Sequence, residues 1–164
     1  MNIDTVEYEP IGVVRTPYDT PDGMPIQPTG ARETQGTVEL TPEYGPALAD
    51  LDGFSHCILL YHFHESDPEA QLTVEPFLDD TERGLFSTRA PRRPNAIGLS
   101  VVEIIDIEGT ELTVRGIDVV DETPLLDIKP LVPAFDIPDD TEVGWLDTRS
   151  QQAESTRADD RFLE

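Results

Sequence analysis

Apolar and polar residues alternate along this chain in short, β-branched runs broken by glycine, proline and aspartate, a pattern with the period of strands rather than helices. The runs cover residues 11–15, 36–40, 54–64, 84–88, 99–107 and 111–120. Between the last two, Glu108-Gly109-Thr110 forms a short glycine-containing connection that predicts a hairpin. In its second strand Leu112, Val114 and Gly116 share one face, and Thr113, Arg115 and Ile117 share the other. One or two helical turns are expected at residues 42–50, where Thr41 stands as N-cap before a proline at the first position.

No helices alternate with the strands as a parallel α/β sheet requires. No Gly-x-Gly pair occurs either, which removes the dinucleotide and phosphate-loop fingerprints. The expected fold is mostly β: a single antiparallel β-barrel domain over residues 1–136, with short helical segments. Residues 18–33 and 65–83 read as long loops, and loops of that length in a compact domain are usually functional or mobile. Residues 137–164 are acidic and weakly patterned, with Trp145 the one large anchor, and read as a C-terminal arm or partly disordered tail.

Charge changes this picture. Acids outnumber bases 34 to 11, for a formal net charge of -23, and Lys129 is the sole lysine. Acids scattered over strands and turns fit a solvated surface better than a partner-binding tail, and such a surface relaxes where salt screens it; the pattern predicts a halophilic host. The single cysteine, Cys57, excludes an intrachain disulfide and any multi-cysteine metal site. With no long apolar run, and an acidic start lacking basic and apolar leader regions, the chain is expected to be soluble and cytoplasmic.

Against that background residues 84–102 (GLFSTRAPRRPNAIGLSVV) hold three arginines, Arg89, Arg92 and Arg93, and no acid. The stretch is a seat for an anion. Pro91 and Pro94 stiffen the loop and present its guanidinium groups, although the same residues suit any tight turn, and intramolecular salt bridges are the ordinary fate of arginines on an acidic chain. His56, His62 and His64 alternate along one strand at a metal-compatible spacing. No Asp or Glu shares the strand interior and Cys57 points the other way, so no metal is expected; a histidine holding a backbone group is the usual outcome.

The segment Ser87-Thr88-Arg89-Ala90-Pro91-Arg92-Arg93-Pro94-Asn95-Ala96-Ile97-Gly98-Leu99-Ser100 resembles the T-R-x-x-x-R-P-N-P-I-G signature of the TrmO methyltransferases, also called the TsaA-like or VirR family. Further blocks match in order: Ile11-Gly12-Val13-Val14-Arg15-Thr16-Pro17-Tyr18, Gln27-Pro28, Leu51-Asp52-Gly53-Phe54-Ser55-His56, Phe63-His64, and Asp118 through Pro130. Arg93 matches the family arginine, leaving Arg92 extra. Glu122 stands at a usual glycine, Glu65 at a frequent glutamine, and Thr29 looks inserted in the Gln-Pro loop.

The resemblance implies a β-barrel methyltransferase that uses S-adenosyl-L-methionine (SAM), works as a homodimer with the cofactor near the subunit interface, and acts on tRNA. Characterised bacterial members methylate the exocyclic N6 amine of threonylcarbamoyladenosine beside the anticodon, at position 37. Carried over by position, Gln27, Pro28, Thr29, His64, Glu65, Arg89, Val101, Asp118, Val119, Val120 and Asp121 are the implied cofactor residues. Arg93, Asn95, Tyr18 and Lys129 are the implied substrate contacts. Asp118 and His64 are the candidate proton acceptors. Tyr18 and Phe86 have the character to stack a splayed base, or to sit in the core. Two other readings stay open: a non-catalytic SAM- or nucleotide-binding regulatory protein, and a small-molecule methyltransferase on the same barrel.

Overall fold

The computed structural model describes residues 4–22, 24, 31–76 and 80–146. Its strands are β1 (Gly12–Arg15), β2 (Gln35–Leu40), β3 (His56–His62), β4 (Thr73–Val74), β5 (Arg83–Gly84), β6 (Ile97–Glu108), β7 (Glu111–Arg115) and β8 (Thr123–Pro130), followed by a short helix α1 (Pro133–Asp136). Among these, six close an antiparallel barrel in the order β1-β2-β7-β6-β3-β8, and β4 pairs with β5 alone. Alternation dictates the core: Val14, Val38, Cys57, Leu59, Val102, Leu112, Val114 and Leu125 point inward and are fully buried. Burial raises the Cys57 thiol to about 12, so it behaves as a small apolar side chain. None of the described helices is long and apolar enough to cross a membrane.

The hairpin forms as the sequence predicts. Glu108 pairs with Glu111, and Gly109 takes the left-handed conformation (φ 62°) that a two-residue turn needs. Four expectations change. The strand foreseen at residues 84–88 ends at Gly84 and becomes a 3-10 turn, Leu85–Ser87, because Leu85 turns inward to pack with Val74 and Ala90. The strand foreseen at 111–120 ends at Arg115: Gly116 has φ 87°, the chain leaves the ladder, and Ile117 drops into the core rather than facing outward. The helical turns near residue 42 are a 3-10 helix, Pro42–Leu48, and the Thr41 hydroxyl donates to the Ile11 carbonyl instead of capping it. Finally β8 is a full barrel strand although it carries Pro124 and Pro130, residues that argue against a strand in sequence.

One consequence of these endings positions the site. The first half of β6 pairs with β3 and its second half with β7, the last β6–β7 partners being Glu103 and Arg115. A register shift between Ile104 and Asp106 bends the strand between those duties. Beyond Arg115 the departing segment 116–122 crosses beside the edge of β6 that β7 no longer covers.

Candidate functional site

Ser100 lies on the inward face of β6, fully buried, between Gly98 and Val102. A lone buried hydroxyl needs partners, and it has two. Its Oγ–H donates to Asp118 Oδ1 at 2.5 Å, and Tyr61 Oη lies 3.0 Å from the same Oγ. A serine has one proton to give, so while Asp118 is ionised the order is Tyr61 to Ser100 to Asp118. Burial pushes the Asp118 carboxyl up from its ordinary 3.8 to about 7, against the opposing pull of Ser100, its own backbone N–H and the nearby Arg89 charge. Burial and the Asp118 charge likewise raise the Tyr61 phenol well above its ordinary range.

Next to Asp118 the segment is laced to the loop after β1. Thr16 Oγ1 donates to the Val119 carbonyl, and the Thr16 N–H donates to Asp121 Oδ1. The Asp121 N–H donates to the Tyr18 carbonyl, and Tyr18 Oη meets Thr34 Oγ1 at 2.7 Å. Val119 and Val120 are buried, and the Val120 carbonyl accepts from Thr123 Oγ1. His64, past the end of β3, places Nδ1 3.5 Å from the same hydroxyl and Nε2 3.6 Å from Glu65 Oε1. Glu122 occupies the left-handed region (φ 62°), which accounts for glycine at this family position; its carboxylate offsets part of that cost by pairing with Arg15 at 2.7 Å.

The structure therefore gathers Tyr18, His64, Glu65, Asp118, Val119, Val120 and Asp121 around the two ends of segment 116–122, with exposed Arg89 near enough to act on Asp118. Two residues fall elsewhere. Val101 and Lys129 both pair with Ile58, on the outward face of the barrel, and Lys129 is engaged with Asp127 at 2.7 Å. Gln27, Pro28 and Thr29 lie outside the described residues. Asn95 is exposed in the arginine loop, its carbonyl accepting the Ile97 N–H. His56 and His62 sit on the outward side of β3, away from His64; the described residues bring no three metal-ligating side chains together.

The two neighbouring arginines of the loop are held differently. Arg92 is only 7% exposed and pairs with Asp67 at 2.9 Å, which ties the arginine loop to the loop after β3. Arg93 donates from one guanidinium nitrogen to the Thr88 and Ala90 carbonyls and lies 5.8 Å over the Phe86 ring. A separate open groove of about 530 Å³ beside the Pro42–Leu48 helix, with Asp52, Phe54 and Ile105 on its walls, contains none of the sequence-derived site residues. Tyr61 and Ser100 were not foreseen. The signal for Ser100 was present, since a polar residue on the buried parity of an apolar strand invites the question of its partner.

Residues 13–137 match the family model described as the tRNA-methyltransferase O N-terminal domain. A probable S-adenosyl-L-methionine-binding protein of Pyrococcus abyssi is 45% identical over 156 residues, spanning 95% of this chain and 84% of that protein. A tRNA (adenine(37)-N6)-methyltransferase of Mus musculus is 34% identical over 143 residues, 82% of this chain but 33% of the mouse protein. Among solved structures, the crystal structure of TrmO from Pseudomonas aeruginosa superposes with a TM-score of 0.73 at 38% identity, covering 87% of this chain and 63% of that one. The chain thus spans less than two thirds of the TrmO chain it matches.

Proposed function

We propose that this chain, which belongs to the tRNA-methyltransferase O family, is a SAM-dependent tRNA methyltransferase acting on the N6 amine of threonylcarbamoyladenosine at position 37. The observation that carries the reading is the Asp118 carboxyl, buried on the segment that leaves β7, held by Ser100 and within range of the Arg89 charge. An acid within range of an arginine's charge suits a cofactor that is both a cation and a carboxylate, and SAM supplies an electrophilic methyl group when bound. Arg89 holds the carboxylate end. Transfer to nitrogen needs an in-line approach and an available lone pair. The threonylcarbamoyl carbonyl makes the amine proton more acidic than that of adenine, and Asp118, titrating near neutrality, accepts it. His64 lies at the other end of the same segment and orders it through Thr123.

A homodimer fits the outer wall. Ile58, Leu60, Ile97, Leu99 and Val101 share the outward face of β3 and β6, and Ile97 and Leu99 are each about 40% exposed. Val101 and Lys129 lie on that face, so they would join a cofactor or substrate site only across an interface with a second copy. Light scattering should give the mass of a dimer, and a monomer at micromolar concentration would overturn this arrangement.

The acidic surface is read as that of a cytoplasmic protein of a salt-rich cell, so assays belong in molar potassium chloride. There the chain, given SAM and tRNA bearing threonylcarbamoyladenosine, is expected to yield the N6-methylated nucleoside by mass spectrometry. Arg89→Ala should weaken SAM binding about tenfold, the scale of one charge-assisted hydrogen bond. Unchanged affinity would remove Arg89 from the cofactor site. SAM binding without any methylated nucleoside would favour the regulatory reading, which the name of the Pyrococcus relative also accommodates.

A further inference from the structure

The arginine loop presents an arrangement that the methyl-transfer chemistry leaves unused. Phe86 is 80% exposed, yet it is not mobile in origin: it stands in the Leu85–Ser87 turn, whose Leu85 is buried against Val74 and Ala90. The turn is fastened by Ser87 Oγ to the Gly84 carbonyl and Thr88 Oγ1 to the Leu85 carbonyl. Arg93 backs the ring at 5.8 Å, and its own guanidinium is fixed by the Thr88 and Ala90 carbonyls. A second ring, half-buried, adjoins the first. Trp145 Nε1 donates to the Ser87 carbonyl at 2.8 Å, and Arg83 lies 5.5 Å over the indole. Two aromatic–guanidinium pairs therefore meet at one three-residue turn, at the start of the acid-free stretch 84–102.

We propose that Phe86 and Trp145, with Arg93 and Arg83 behind them, form a stacking platform for unpaired nucleotides of the RNA substrate beside the methyl acceptor. The inference rests on the tRNA reading above and adds the contact surface. A folded aromatic costs little conformational entropy when it meets a partner, and a ring left this open on a globular domain is matched by a flat π-face. A nucleotide carries such a face and a phosphate in one unit, which is what ring and guanidinium together select. A second copy of this chain is the less suited occupant, because the apolar outer wall of β3 and β6, not this turn, is the face it would bury. On a protein with net charge -23, phosphate attraction is weak in molar salt. Stacking survives there, since it does not depend on counterion release.

The test uses the full chain, a fluorescein-labelled anticodon-loop RNA, and SAM titrated separately. Phe86→Ala and Trp145→Ala are each expected to weaken RNA binding about tenfold. They should raise KM for tRNA with little change in kcat and leave SAM affinity and the slope of log affinity against log salt as in the wild type. Phe86→Trp should retain binding. Wild-type RNA binding with both alanine variants unchanged overturns the platform alone. A wild type that binds no RNA overturns the tRNA reading and the platform with it. Variants whose light-scattering mass falls, and whose RNA binding returns at higher protein concentration, assign the rings to a protein–protein contact and also overturn it.

Discussion

Replacing Asp118 by Asn should lower kcat/KM for tRNA methylation by about a hundredfold or more and erase an ionisation near pH 7 from its pH profile. Asparagine keeps the size of the side chain and an oxygen able to accept from Ser100, so the loss would be that of a proton acceptor rather than of shape. In the wild type, activity should climb as pH rises through about 7, where Asp118 ionises. A flat wild-type profile, or an Asn variant that keeps full activity, would reject Asp118 as the base. Stability moves in the opposite direction from activity. The folded chain holds this proton up to about pH 7 whereas the unfolded chain releases it near 3.8, so between those values the native state binds more protons and stability falls as pH rises. At pH 8 the Asn variant should therefore melt at a higher temperature than the wild type, with the advantage shrinking toward pH 4. The same buried carboxylate that is poised for proton transfer is a cost to the fold, on the order of a few kcal/mol.

Gly98→Ala is expected to be a strongly damaging small change in the barrel. A Cβ at this position would fall 2.6 Å from Tyr61 Cζ and 2.8 Å from Phe63 Cζ. The two rings are packed edge to face with centroids 5.5 Å apart, and Tyr61 is buried with its hydroxyl on Ser100, so it cannot swing into solvent to make room. Overpacking of this sort costs about 3 kcal/mol, a drop in melting temperature of roughly 6–12 °C for a chain of this size. The glycine of the Asn-Ala-Ile-Gly motif is thus explained by an aromatic ring rather than by a ligand. Any displacement of Tyr61 also moves the hydroxyl that meets Ser100, so residual folded protein should show an altered pH profile. A melting temperature within two or three degrees of the wild type would mean that β6 shifts easily, and the account of the close approach would be wrong.

Much of the barrel could be read from alternation, because each strand has one buried face and the two-residue period leaves a plain trace. β1, β2, β3 and β6 appear within two residues of their actual bounds, and β7 begins where expected. β8 did not look like a strand, since its two prolines carry the opposite local signal and only its partners β1 and β3 decide the matter. The end of β7 was hidden for a related reason: Gly116 looked like another alternating residue, and its left-handed conformation became visible only once Ile117 was seen in the core. At the site, Asp118 and its neighbours were reachable through family likeness. Their support was not, because the contact between Ser100 and Asp118 joins residues 18 apart through a strand ending. Arg92 is the same case. The signature set it apart from Arg93 without saying what it does, and its partner in the fold is Asp67, 25 residues away.

Arg15 shows what scarcity of cations does to a chain like this. Its guanidinium lies 3.1 Å from Glu39 on β2, and 2.7 Å from Glu122 and 3.9 Å from Asp121 on the site segment. Deleting any one of the acids leaves the arginine with two partners and removes a negative charge that had neighbours of its own sign. Deleting the arginine leaves three carboxylates facing one another across the seam of β1, β2 and the site segment. Substitution is therefore asymmetric at this cluster: each acid is one of three, while the single arginine serves them all, so drift is more confined at Arg15 than at any of its partners.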